Sequence, residues 1–463
     1  MARTLRLVAL VLCFLAVRVS ADVSLPDFER VELDNGVVLL ISEKHDVPLV
    51  GLEATIRGGA IQDPEGMNGL ANLLAGMLEK GAGERDAAAF AEAVDAVGGV
   101  LSASAGLESL RVSADFMARD AELLIELLTD MLRRPTLDAD EFEKLRDRSI
   151  NLIKAAKGSD PGNLLPRYGN AFLFVDHPYG NPVGGSEDSL ARITHDDLLA
   201  FYEDRVGADR LIISVVGDFN AEAMKSRLTA AFGDWRSAAA EATVVPVAQK
   251  VAGRRVLLVD KPGATQTYIW LGNLGVAVDY PKRAELNLAN TVFGGRFTSM
   301  LNNELRVKAG LTYSARSVLT RSAKPGSVVI RTFTETSTTT ETIDMALELL
   351  EKLRKSGIDE EMVESARNYV MGQFPPRLET AVQLASQLAV LELYGLDAGY
   401  VDSYVEALMA ADAEGIATTI DDVYPSPDDL VFVLIGDAGT IRDDISQYGP
   451  LTEMSIQETR FRP

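Results

Sequence analysis

Histidine and cysteine are nearly missing from this chain, and their scarcity excludes much of enzyme chemistry. Among 463 residues there are three histidines, His45, His177 and His195, and one cysteine, Cys13. No two histidines stand at the spacing by which a helix aims two ligands at one zinc ion, and no second cysteine can assist. Cys13 lies in the apolar run Leu7 to Val17, so the rest of the chain has neither a disulfide nor a reactive thiol. A G-x-S-x-G nucleophile elbow, a P-loop and a strand-linked dinucleotide fingerprint are absent as well. No later apolar stretch reaches the roughly 20 residues needed to span a bilayer, so stable membrane insertion is not expected. Basic residues are outnumbered, 45 Lys and Arg against 68 Asp and Glu, for a net charge of −23. Such a surface repels phosphate backbones and anionic lipids, which sets nucleic acid aside as a partner.

What is present begins with a secretory signal. Arg3 and Arg6, the apolar run, and then Val19-Ser20-Ala21 as a small-residue cleavage site define residues 1–21, with Asp22 expected to start the mature chain. Loss of Arg3, Arg6 and Arg18 deepens the net charge by three, to −26. A cysteine-free exported chain of this size fits a bacterial periplasm.

The chain then repeats itself. Val38-Leu39-Leu40-Ile41 recurs as Val256-Leu257-Leu258-Val259, 218 residues later, and the apolar run ending in Gly217-Asp218 recurs before Gly436-Asp437, 219 residues later. Two markers at nearly one spacing predict two homologous halves, residues 22–236 and 253–463, joined by an Ala-rich linker at 237–252. Leu101 to Ala105 and Leu110 to Phe116 alternate as half-buried strands. Leu123, Leu124, Leu127, Leu128, Met131 and Leu132 have helical spacing and stop before Pro135. The fold class is therefore α+β, with helices packed on a mainly antiparallel sheet.

From Gly69 to Gly81, Leu70, Leu73, Leu74, Met77 and Leu78 form one apolar helical stripe, while Asn72, Ala75, Gly76 and Glu79 are expected to face elsewhere. This segment resembles the zinc-bearing helix of the pitrilysin/insulinase family of inverted zincins, roughly G-x-x-H-x-x-E-H-M-L. Alignment on Gly69 and Met77-Leu78 places Asn72 at the first histidine, Ala75 at the glutamate base and Gly76 at the second histidine. The resemblance implies a third ligand, a glutamate, on the helix running from Asp138 to Ala156. Leu152 stands at that position and, beside Phe142, Leu145 and Ile153, is expected in the core. The chain is thus expected to bind no zinc and to have no catalytic residue of its own. His177, in Asp-His-Pro-Tyr-Gly, reads as a structural turn, His195 as the exposed first turn of a helix, and His45 as part of a polar turn.

The resemblance extends in order through His177-Pro178-Tyr179-Gly180, Gly217-Asp218, Gln266 and Gly294-Gly295-Arg296, and it implies halves of two α+β sandwich domains each that close like a clamshell around a peptide. It also covers Leu301 to Ser314, similar to the family's arginine/tyrosine motif, with Arg306 and Tyr313 on the two positions. Phe297, Met300, Leu301 and Leu305 predict a helix that Gly310 ends, with Tyr313 opening a strand. A guanidinium and a phenol at such a corner offer fixed donors to a peptide carbonyl. The resemblance implies a non-catalytic, peptide-binding subunit of a heterodimeric zinc metallopeptidase. A zinc-competent relative of the same family would carry the metal, and Arg306 and Tyr313 would support its substrate. The alternative is a non-enzymic peptide-binding or assembly protein derived from that family.

Overall fold

The computed structural model describes residues 24–463, so the expected signal lies outside the described residues. In the first half the strands are β1 (Glu29–Glu32), β2 (Val38–Glu43), β3 (Leu49–Arg57), β4 (Val100–Ala105), β5 (Ser109–Met117) and β6 (Leu211–Gly217). They form one sheet in the order β1-β2-β6-β3-β5-β4. The second half contributes β7 (Arg255–Asp260), β8 (Gln266–Leu274), β9 (Arg316–Leu319), β10 (Ser327–Glu335), β11 (Val431–Gly436) and β12 (Leu451–Ser455). Their order is β12-β7-β11-β8-β10-β9.

The repeat seen in the sequence is therefore a repeat of strand pairing. β2 runs parallel to β6 with Val38 opposite Ile212, and β7 runs parallel to β11 with Val256 opposite Phe432. Apart from the edge pair β7 and β12, the other neighbours are antiparallel. The expectation of two sandwiches in each half is corrected to one, because each half gathers its long strands into a single six-stranded ladder. Every residue of the central strands β6 and β11 is buried, which explains why they read as continuous apolar runs without alternation.

Two apolar faces per sheet need two layers of cover, and the halves supply the second layer to each other. Four helices matter here: α1 (Leu70–Leu78), α2 (Ala139–Ser159), α3 (Leu165–Phe174) and α4 (Ala381–Tyr394). One face of the first sheet, with Leu39, Leu52, Val112 and Ile213, packs on helices of its own half, including α1. The opposite face, with Val38, Leu40, Ile212 and Val216, packs on Leu384, Ala385 and Leu388 of α4, a helix of the second half. Reciprocally, α3 of the first half lies on the second sheet, where Leu257, Trp270, Val433 and Ile435 join the first half's core.

Glycines set both close approaches. A Cβ on Gly51 of β3 would lie 2.2 Å from the backbone nitrogen of Val382, and one on Gly169 of α3 would lie 2.6 Å from the Trp270 ring. Each exchanged helix also ends on an arginine from the half it visits. Arg57 donates to the Glu392 carbonyl of α4 at 3.1 Å, and Arg255 donates to the Leu173 carbonyl of α3 at 2.9 Å, favourable charge at a helix C-terminus.

Residues 237–252 contain no helix or strand. They are nonetheless pinned to the body: Thr243 donates to Gln62 at 2.8 Å, and the Val251 N–H donates to Asn273 at 3.2 Å. Among the described residues no helix is long and apolar enough to cross a membrane.

Because the halves exchange helices, residues 22–236 expressed alone would expose Val38, Leu40, Ile212 and Val216 to water. The expected outcome is an aggregated or unfolded fragment that becomes soluble when co-expressed with 253–463, measured by size-exclusion chromatography. In the full chain, Leu388→Ala, at a fully buried site, is expected to lower unfolding stability by about 2–5 kcal/mol in urea titration.

Candidate functional site

Helix α1 starts at Gly69, which takes the left-handed conformation at φ +105°. Its first N–H groups are capped from a distance: Asp63 Oδ2 accepts from Gly69 N and Oδ1 from Ala71 N, both at 2.8 Å. Burial pushes the Asp63 carboxyl up to about 7, against the lowering effect of those N–H groups. Leu73, Leu74, Met77 and Leu78 are fully buried, and so is Ala75 at 1% exposure. The apolar stripe is therefore wider than the sequence suggested, because Ala75 faces the core and not away from it. Asn72 and Gly76 are half-buried, one turn apart.

The structure brings α1 against α2, as the family pattern requires, and fills the gap with hydrocarbon. A Cβ on Gly76 would stand 2.8 Å from Leu145 Cδ2 on α2. Leu152 is not in the core: it is 61% exposed, while Phe142 and Ile153 carry the buried face of α2. One residue along a helix turns the side chain by about 100°, so Leu152 points away although its neighbour Ile153 is buried. Of Asn72, Gly76 and Leu152 only Asn72 has a polar side chain, so these residues do not fit a zinc ion. Among the described residues no group of three or more His, Cys, Asp or Glu is disposed to hold a metal.

The histidines are occupied elsewhere. His177 is buried, accepts from Tyr179 N at 3.1 Å through Nδ1 and donates to the Pro246 carbonyl at 2.9 Å through Nε2, fixing the turn and the linker together. His195 opens a helix as expected but is half-buried, with Nε2 donating to the Leu137 carbonyl at 2.6 Å. His45 sits in an exposed turn, 2.7 Å from Asp218, whose carboxylate raises its pKa.

Arg306 and Tyr313 are a different case, because the fold presents both. They share a cleft of about 680 Å³ with Gln266, Thr334, Glu335 and Glu341, and together they also line a second cleft of about 600 Å³. The expected helix begins at Met300, so Phe297 precedes it, exposed, with the Arg306 guanidinium 4.8 Å over its ring. Asn302 to Lys308 is wound as a π-helix, with Ala309 N–H donating back five residues to Glu304 at 2.9 Å. Gly310, at φ +69°, then ends it as expected.

Tyr313 does not open a strand. It stands 77% exposed in a loop, and β9 begins at Arg316. The loop is nevertheless held rigidly. Asn302 Oδ1 accepts from Ala315 N at 3.1 Å, Thr334 donates to the Leu311 carbonyl at 2.8 Å, and Thr332 donates to the Ser314 carbonyl at 3.0 Å. These anchors were missed in the sequence; a buried Asn in the turn before Arg306 and two threonines on β10 were the available signals. The π-winding, a form found mostly at functional sites, has no signature in side-chain periodicity.

Asn302→Ala would leave the buried Ala315 N–H without a partner, costing about 1–3 kcal/mol. Faster amide exchange at residues 311–315, with unchanged exchange in α1, is the expected outcome. For Asp63 the sign follows from a folded pKa near 7, raised from 3.8. The folded state holds the proton more tightly, so the contribution is full below the unfolded pKa and is lost as pH rises through about 7. Relative to Asp63→Asn, the unmodified chain should lose stability between pH 4 and 8, read from urea midpoints.

Residues 37–186 match the family described as "Insulinase (Peptidase family M16)" and residues 192–370 the one described as "Peptidase M16 inactive domain". The chain is 29% identical over 330 residues to an uncharacterized zinc protease of Mycobacterium leprae, covering 71% of this chain and 74% of that protein. It is 24% identical over 347 residues to the "Non-peptidase homolog YmxG" of Helicobacter pylori, covering 74% and 79%. The crystal structure of a peptidase M16 inactive domain from Pseudomonas fluorescens superposes with a TM-score of 0.82 at 22% identity, over 89% of this chain and 98% of that one. The periplasmic protease PqqL of Escherichia coli superposes with a TM-score of 0.76 at 15% identity, over 89% of this chain but 46% of that one. The chain belongs to the insulinase family, peptidase family M16, as an inactive-type homologue.

Proposed function

We propose that this chain is the non-catalytic, peptide-binding subunit of a heterodimeric zinc peptidase, exported to the periplasm, whose zinc lies wholly in the partner. The observation that carries the proposal is an asymmetry: the helix at the zinc-bearing position carries Asn72, Ala75 and Gly76, while Arg306 on the π-helix and Tyr313 on a loop pinned by Asn302, Thr332 and Thr334 share a cleft. A guanidinium with no ion-pair partner among the described residues and an exposed phenol can both donate to peptide carbonyls, and a rigid loop spares the entropy of ordering them on binding. That the chain matches only 46% of PqqL supports the pairing, since one such chain corresponds to half of a longer single-chain relative. The partner is a zinc-competent member of the same family.

The printed name of the Helicobacter pylori relative supports a second reading, a peptide-binding or assembly protein with no peptidase role. Affinity capture of the mature chain from its native host separates the two. Co-purification of a relative bearing H-x-x-E-H in equal amount is expected on the first reading; capture of the chain alone or with unrelated proteins favours the second. In the assembled pair, Arg306→Ala and Tyr313→Phe should each lower peptidase activity by about 10²-fold, the loss typical of one donor to a reacting carbonyl. Unchanged activity in both variants would refute the role given to them.

A further inference from the structure

The chain is strongly acidic, yet four of its arginines gather where no carboxylate neutralises them. Arg316 and Arg331 are directly opposite on the antiparallel strands β9 and β10, so their side chains share one face. They line a cavity of about 320 Å³ with Tyr268 and Phe333, in which Asp160 is the sole acid, itself bonded to Asn163 at 2.8 Å. Arg316 also lines the neighbouring cleft of about 600 Å³, together with Arg296 and Arg306, and no Asp or Glu lines that cleft. None of these four arginines forms an ion pair within 4.0 Å among the described residues, although 68 acids are available in the chain. Arg296 donates only to Ser365, at 3.0 Å, and its Nε is buried without a partner.

This arrangement opposes folding. Like charges directly opposite on paired strands are destabilising, and burial pulls the Arg331 and Arg296 pKa values down, each a sign of desolvated charge. Rule-breaking of this kind concentrates at sites that a ligand completes. Guanidinium groups in a row match carboxylates by paired N–H donors, a geometry that lysine cannot copy.

We propose that the peptide held by this chain is acidic, with its Asp or Glu side chains lying along Arg296, Arg316 and Arg331 beside the edge strand β9. The proposal rests on the peptide-binding reading above and names its substrate class. It also gives the site a polarity: Glu335 and Glu341 line the cleft on the far side of Tyr313, so the acidic stretch lies on the Arg316 side alone. The net charge of −23 disfavours such a peptide over the surface as a whole, so charge favours the groove.

The test is fluorescence anisotropy of the full mature chain with three labelled peptides of one length: one rich in glutamate, its glutamine counterpart and its lysine counterpart. The glutamate peptide is expected to bind at least about tenfold tighter than the glutamine one at low salt, as charged hydrogen bonds allow, with the advantage shrinking at high salt. The double variant R316Q/R331Q should lose that advantage with its thermal midpoint retained, and R316K/R331K should keep part of it. Equal binding of glutamate and glutamine peptides overturns this proposal and leaves peptide binding standing. No binding of any peptide overturns both. An advantage that persists in a folded R316Q/R331Q protein overturns the site. The glutamate and glutamine comparison and its salt dependence need no variant, so they decide even if R316Q/R331Q fails to fold.

Discussion

The reciprocal exchange of α3 and α4 is the contact on which the rest of the structure depends. A six-stranded sheet with apolar central strands cannot leave one face in water, and in each half one face is covered by a helix of the other. Burial of Leu384, Leu388 and Leu391 against Val38, Leu40 and Ile212 makes the first half's integrity a property of the second. The same exchange carries α3 onto the second sheet, so the halves are joined through two cores rather than by the linker. Glu392, flanked by the partly exposed Arg57 and Arg30, adds ion pairs at that junction, with N–O distances of 3.3 and 2.9 Å.

In the second half, Arg306 and Tyr313 line two neighbouring clefts. Arg306 and Tyr313 are presented by one short helix and one loop, and the loop rests on hydrogen bonds to Asn302 of that helix and to threonines of β10. Preorganised donors act without reorganising when a substrate arrives. In the first half, α1 is capped by Asp63 and packs on α2. Helix α1 packs on β4 and β5 and adds Leu73, Leu74 and Met77 to the core over the first sheet.

Much of this was legible in the residues. The duplicated apolar strands, the helical stripe of α1 and the end of the later helix at Gly310 are local patterns, and local patterns reflect local backbone geometry. The misreadings have a common cause. Leu152 read as core because Phe142 and Ile153 stand near it in sequence, yet the face of a helix that is buried depends on what lies opposite. Tyr313 read as the start of a strand because aromatic residues favour strands, but the turn after Gly310 and the Asn302 anchor keep it in a loop until Arg316.

The sequence by itself determined the repeat and the α+β class, because both depend on residue identity and short-range spacing. Only the tertiary structure decided which sheet α3 and α4 cover. The two halves offer nearly equivalent apolar faces, and the choice falls to the close approaches that Gly51 and Gly169 permit. It alone set Arg296, Arg306, Arg316 and Arg331 side by side: as residues separated along the chain they are ordinary surface charges. Strand pairing between β9 and β10 and the winding of the preceding helix bring them within reach of one ligand.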